Sequence, residues 1–103
     1  MAFNMAVSRS VFWGSTTESA YTYASWFGVN DSHQAEMTAL FQKVADAVNA
    51  ATGNGLSVFI NVWLNNQSVV SLGKPCSAAE FETIQKAEDA AYTALRAWGS
   101  VGA

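Results

Sequence analysis

A chain of 103 residues with half its residues hydrophobic, 13% charged and a formal net charge of −3 has room for one real core and no room for a second. Its five basic residues, Arg9, Lys43, Lys74, Lys86 and Arg96, are scattered, which argues against nucleic acid and against an anionic membrane surface, both of which need clustered cations. The charge content is about half the roughly 25% of an average soluble domain, so a surface clothed in neutral side chains, part of it covered by a second copy or a partner, is the expectation.

From Ala2 to Trp13 the odd positions read Phe3, Met5, Val7, Arg9, Val11 and Trp13, and the even ones Ala2, Asn4, Ala6, Ser8, Ser10 and Phe12. Period two predicts a strand. Arg9 interrupts its apolar face and must reach an edge, a carboxylate or a partner. A turn cluster, Gly14-Ser15-Thr16-Thr17, leads into Tyr21, Tyr23, Ser25, Phe27 and Val29, which alternate with Thr22, Ala24, Trp26 and Gly28. These β-favouring aromatics suit the returning strand of a hairpin; a short helix is the alternative.

Asn30, Asp31 and Ser32 are three successive N-cap candidates, residue types whose side-chain oxygens accept the orphan N–H groups of a helix start. A helix from about Ser32 to Ala51 follows, with Met37, Leu40, Phe41, Val44, Ala45 and Val48 forming one stripe. Thr52-Gly53-Asn54-Gly55 then provides residues that tolerate the left-handed region, for a cap and a tight turn.

The next stretch, Leu56 to Asn65, is a strand with Leu56, Val58, Ile60, Val62 and Leu64 on one face. The other face carries Ser57, Phe59, Asn61, Trp63 and Asn65. That mixture fits three fates: core beneath a helix, a protein interface, or a platform for a sugar or small polar ligand. Asn65-Asn66-Gln67 is a turn candidate and Ser68 to Leu72 a short return strand, which Gly73, Lys74 and Pro75 should end. In Ser77-Ala78-Ala79-Glu80 the spacing is that of a capping box, with Cys76 and Phe81 at the positions of a hydrophobic staple. Phe81, Ile84, Ala87, Ala91, Leu95 and Trp98 define the buried stripe of a second helix, and Gly99 is its C-cap candidate.

The resulting order is ββαββα, an α+β fold: a four-stranded, mainly antiparallel sheet with two amphipathic helices packed on one face, in a single domain whose pattern-level halves are 1–52 and 53–103. With one histidine and one cysteine, convergent metal ligands are not expected, and neither Gly28 nor the Gly53–Gly55 pair has phosphate-loop spacing. No cofactor is expected. His33, near Asp31 and Glu36, has the makings of a general base but no specific spacing. Cys76 precedes a helix with Lys74 nearby, which favours a thiolate, whereas the staple position favours an inert buried thiol.

The expected function is therefore non-enzymatic and mediated by protein contacts: a self-assembling structural subunit, a homo-oligomer, or a small acidic inhibitor or adaptor that docks on a larger protein. The residues expected to carry it are Phe59, Asn61, Trp63, Asn65, Tyr21, Tyr23, Trp26 and Arg9. A module binding a glycan or small polar ligand through the aromatic and asparagine face is the alternative, and a small enzyme using Cys76 or His33 the third reading. The sequence lacks a basic leader followed by an apolar block, and no apolar run approaches the roughly 20 residues of a bilayer span, so the expected compartment is the cytoplasm.

Overall fold

The computed structural model describes residues 2–14, 19–98 and 100–102. Strands β1 (Ala2–Trp13) and β2 (Ser19–Asn30) precede a 3₁₀ turn, Asp31–His33, and helix α1 (Gln34–Asn49). Strands β3 (Leu56–Leu64) and β4 (Gln67–Cys76) precede helix α2 (Ala78–Trp98) and a short β5 (Ser100–Gly102). All five strands form one antiparallel sheet in the order β4-β3-β1-β2-β5. The α+β architecture and ββαββα order expected from the sequence are those of the structure, with β5 as an unanticipated fifth strand on the edge of β2. Because β1 pairs with both β2 and β3, the halves 1–52 and 53–103 share a single ladder.

Both helices lie on one side. The stripe of α1, Met37, Phe41, Val44, Ala45 and Val48, and that of α2, Ile84, Ala91 and Leu95, are buried against Val7, Val11, Val58, Ile60 and Val62 from the sheet. Alternation sends these strand residues to one face, and burying them removes about 1.5–3 kcal/mol of exposure cost per large aliphatic side chain.

Local chemistry fixes the ends of the elements. The Asn30 side chain accepts the Ser32 N–H at 2.9 Å, so the cap falls at the first of the three candidates and the 3₁₀ turn delays α1 to Gln34. Asn65 and Asn66 have φ of 48° and 67° and join Leu64 to Gln67, a two-residue turn of the mirror-image kind that suits the strand twist. The capping box forms as expected: the Ser77 N–H donates to Glu80 Oε1 at 2.9 Å and the Glu80 N–H to Ser77 Oγ at 3.1 Å. Gly99 lies outside the described residues, as do Ser15, Thr16 and Thr17 of the hairpin connection.

Two expectations about strands are corrected. Gly73, Lys74 and Pro75 do not end β4, which runs on to Cys76. On an edge strand the missing proline N–H has a solvent side to face, and Gly73 sits opposite Phe59, whose ring occupies the space a Cβ would take. Lys74 faces the helices and donates from Nζ to the carbonyls of Asn49 and Ala51 at 2.8 and 2.9 Å, satisfying the C-terminal end of α1. In β2, strict alternation fails at Gly28. Phe3 pairs with Val29 but Met5 with Trp26, so two residues of β2 oppose Asn4 alone, a bulge with Gly28 at φ +68°. The phase flips there: Val29 joins the core with Trp26, while Phe27 turns outward with Tyr21 and Tyr23.

Candidate functional interface

Among the described residues, no helix covers the sheet face turned away from α1 and α2. Register lines up its side chains in rows. Phe12 stands beside Ser57 and Ser19, Ser10 between Phe59 and Tyr21, Ser8 between Asn61 and Tyr23, and Ala6 between Trp63 and Ser25. β4 adds Pro75, Gly73, Ser71 and Ser68 opposite the β3 residues. None of these positions is charged. Arg9 and Lys74 lie in β1 and β4 but on the helix side, and Glu18 is outside the described residues.

Large side chains stand out from this neutral ground. Phe12, Tyr21, Tyr23, Phe27 and Phe59 are between 44% and 65% exposed, which for aromatics gathered on one face marks a contact surface rather than scattered exposure. Phe12 and Phe59 meet edge to face, with centroids 5.8 Å apart and planes at 79°, the preferred approach of aromatic quadrupoles. Toward the other end of the strands lies a hollow of about 230 Å³ lined by Asn4, Met5, Ala6, Tyr23, Ser25, Phe27, Trp63 and Asn66. Its rim is fixed by two hydrogen bonds of 2.9 Å, from the Asn4 N–H to Asn65 Oδ1 and from the Asn65 N–H to the Asn4 carbonyl.

Of the residues singled out from the sequence, the structure brings Tyr21, Tyr23, Phe59, Asn61 and Trp63 onto this one face, with Asn65 at its end in the β3–β4 turn. Trp26 and Arg9 lie on the opposite, helix-covered side. Trp26 is 1% exposed and stacks on Tyr92 of α2 with centroids 5.6 Å apart; the alternation of β2, in register with the buried Met5, turns it inward. The Arg9 guanidinium finds a carboxylate inside the molecule, donating from Nη1 to Glu88 Oε1 at 3.0 Å, and lies over the Phe81 ring.

Glu88 is fully buried and also accepts the Tyr92 hydroxyl at 3.1 Å. Burial pushes its pKa up, and the Arg9 charge and hydrogen bond pull against that rise. Burial and the neighbouring Glu88 carboxylate push the Tyr92 phenol up as well. Glu88 and Tyr92 escaped the sequence reading, although Glu88 stands four residues after Ile84 on the buried stripe and a carboxylate was one of the three fates open to Arg9. Phe12 and Asn66 were missed as members of the outer face; for Phe12 the alternation of β1 was a usable signal.

The candidate catalytic side chains are engaged elsewhere. His33 stacks flat on Trp98, with centroids 4.5 Å apart and planes at 3°. Cys76 is buried in the core against which Phe81 packs, and desolvation followed by the Glu80 charge pushes its thiol pKa up, away from thiolate. Among the described residues no group of three or more His, Cys, Asp or Glu is placed to hold a metal ion, and no helix is long and apolar enough to cross a membrane. A separate groove of about 270 Å³ runs between α1 and the β3–β4 hairpin, lined by Met37, Phe41, Ala45, Val62, Leu64, Val69 and Val70 with Thr38 and Gln42 as its polar members. No family model matches the chain, and no curated protein or solved structure matches it either.

Proposed function

We propose that this chain is a non-enzymatic protein-interaction protein that docks through the open face of its sheet, as a self-assembling subunit or as a small acidic inhibitor or adaptor. One observation carries the reading: among the described residues, a sheet face without charged side chains and studded with Phe12, Tyr21, Tyr23, Phe27, Phe59 and Trp63 has no helix over it. Depletion of charge and enrichment of aromatics are the signature of an interface centre. Size-exclusion chromatography with light scattering, on the wild type and on a Phe59→Ser, Trp63→Ser variant, tests it. Association that the variant loses supports the reading; a clean monomer that captures no protein through this face counts against it.

The hollow beside Trp63 favours a second reading, a site for a glycan or small polar ligand, since an aromatic wall with Asn4, Asn66 and Tyr23 as polar handles suits such a ligand. A fluorescence titration against a ligand panel, with Trp63→Phe as the control, tests it. No response across the panel removes its support. A small enzyme built on Cys76 or His33 draws less support, because one thiol is buried and the one imidazole is stacked on Trp98. Alanine at both positions leaves the biological activity intact if the interaction reading holds.

A further inference from the structure

We infer that the open face binds a second copy of this chain, as an isologous dimer in which one ring of each copy's Phe12–Phe59 pair seats in the Trp63 hollow of the other. The inference rests on the interaction reading above and commits it to one partner. It starts from the placement of two complementary features on one face. The edge-to-face ring pair stands beside Ser10 and Ser57, and the hollow centres on Ala6, Trp63 and Tyr23. About five residues of strand separate them, roughly 17 Å at 3.3–3.4 Å per residue. Between them lie the small side chains of Ser8 and Ser10, with Ser8 nearly flush.

A two-fold axis lying in the interface and running across the strands at this midpoint reverses the strand direction of the second copy while keeping its position across the sheet. Each aromatic pair then meets the other copy's hollow, and the same contact is made twice. The hollow measures about 230 Å³, and a cavity of about 150 Å³ already accepts benzene, so a phenyl ring has room. The sheets then face one another in the manner of a β-sandwich, about 10 Å apart.

Charge and area favour this occupant over an unrelated one. A partner presenting Lys, Arg, Asp or Glu would lose their hydration against a face with no counter-charge, whereas a second copy presents the same neutral surface. The described acidic residues all stand off this face, on the helices and the 3₁₀ turn. Four strands about 4.8 Å apart and about 30 Å long give a planar footprint of roughly 600 Å². Side-chain relief raises the accessible area toward the roughly 800 Å² per partner of a stable interface.

The test uses charges near the proposed axis, at the level of Ser8 and Asn61, where each copy's half-buried Asn61 approaches that of the other. Wild type, Asn61→Glu, Asn61→Lys and an equimolar mixture of the two variants are run by light scattering and sedimentation velocity from micromolar to submillimolar concentration, with circular dichroism to verify the fold. The wild type is expected at twice the chain mass of 11.0 kDa. Each variant alone weakens association by more than about tenfold through like-charge contact, and mixing restores the dimer, which misfolded variants could not do. A wild type that stays monomeric at submillimolar concentration overturns the dimer; if Phe59→Ser then abolishes capture of a different protein, the interaction reading survives it. A dimer indifferent to both substitutions, with Tyr21 and Tyr23 as open to iodination as in the monomer, overturns both.

Discussion

Glu80 concentrates more backbone bonding than any other described side chain. Its carboxylate accepts N–H groups from Ser77, Thr52 and Gly53 at 2.8–2.9 Å, so it caps α2 and clamps the α1–β3 connection to it. Those bonds favour the ionised form and hold its pKa at about 2, well below the usual 4.5. A depressed carboxyl pKa contributes stability that is present above the unfolded value and lost as pH falls toward the folded one. Acid titration of the melting temperature should therefore show a decline between about pH 4.5 and 2 that Glu80→Gln reduces. Gly53 belongs to the same clamp, because a Cβ there would lie 2.7 Å from Glu80 Oε1 and 2.9 Å from Ser77 Cβ. Glu88 is the opposite case. Its raised pKa makes its ionisation oppose folding, so its contribution is fullest below the unfolded value and falls as pH rises through the folded one. Glu88→Ala strands the Arg9 guanidinium and is expected to cost about 3–5 kcal/mol, while an Arg9→Met, Glu88→Leu pair recovers most of it; urea denaturation of the single and double variants measures this. The capping box was legible because its two partners are three residues apart. The Arg9–Glu88 pair was half legible: the strand pattern left Arg9 an edge, a carboxylate or a partner to reach, but the carboxylate it finds lies 79 residues away and no local spacing identifies it.

At the scale of elements, periodicity located β1, β2, α1, β3 and α2, since each carries enough turns or alternations for the pattern to declare itself. It failed where the physics is non-local. β4 continues through Pro75 because the strand has only one neighbour, and edge status follows from the strand order rather than from the segment itself. β5 is three residues long, too short for any alternation. The bulge in β2 turns on a glycine in the left-handed region, and a lone glycine in a strand pattern signals only that some irregularity is near. Gly28 has open space around a would-be Cβ, so the backbone alone penalises a side chain there. Gly28→Ala should cost about 1–2 kcal/mol by thermal denaturation. If the strand instead slips to regular pairing, Val29 leaves the core for the face that Phe27 already occupies and the loss is far larger, because a one-residue slip inverts every side chain beyond it.

For the molecule as a whole, two helices suffice to cover one face of the sheet, and both pack on the face carrying Val7, Val11, Val58, Ile60 and Val62. The sequence left three fates for Phe59, Asn61 and Trp63 because their alternation is equally compatible with a covered and an open face; only the placement of both helices on the other side removes the first of them. Phe59 and Ile60 test this division, being adjacent in the chain and opposite in direction. Ile60 is 1% exposed and Phe59 44%. Ile60→Ala deletes methylenes from the core and is expected to cost about 2–5 kcal/mol. Phe59→Ala in the monomer removes little more than the edge-to-face contact with Phe12, about 1 kcal/mol. Urea denaturation in dilute solution measures both in the single chain, where the ratio reports which face is core. Repeated at rising protein concentration, the proposed dimer requires the midpoint for Ile60→Ala to climb through mass action and that for Phe59→Ala to stay level, since the latter loses one ring of the Phe12–Phe59 pair.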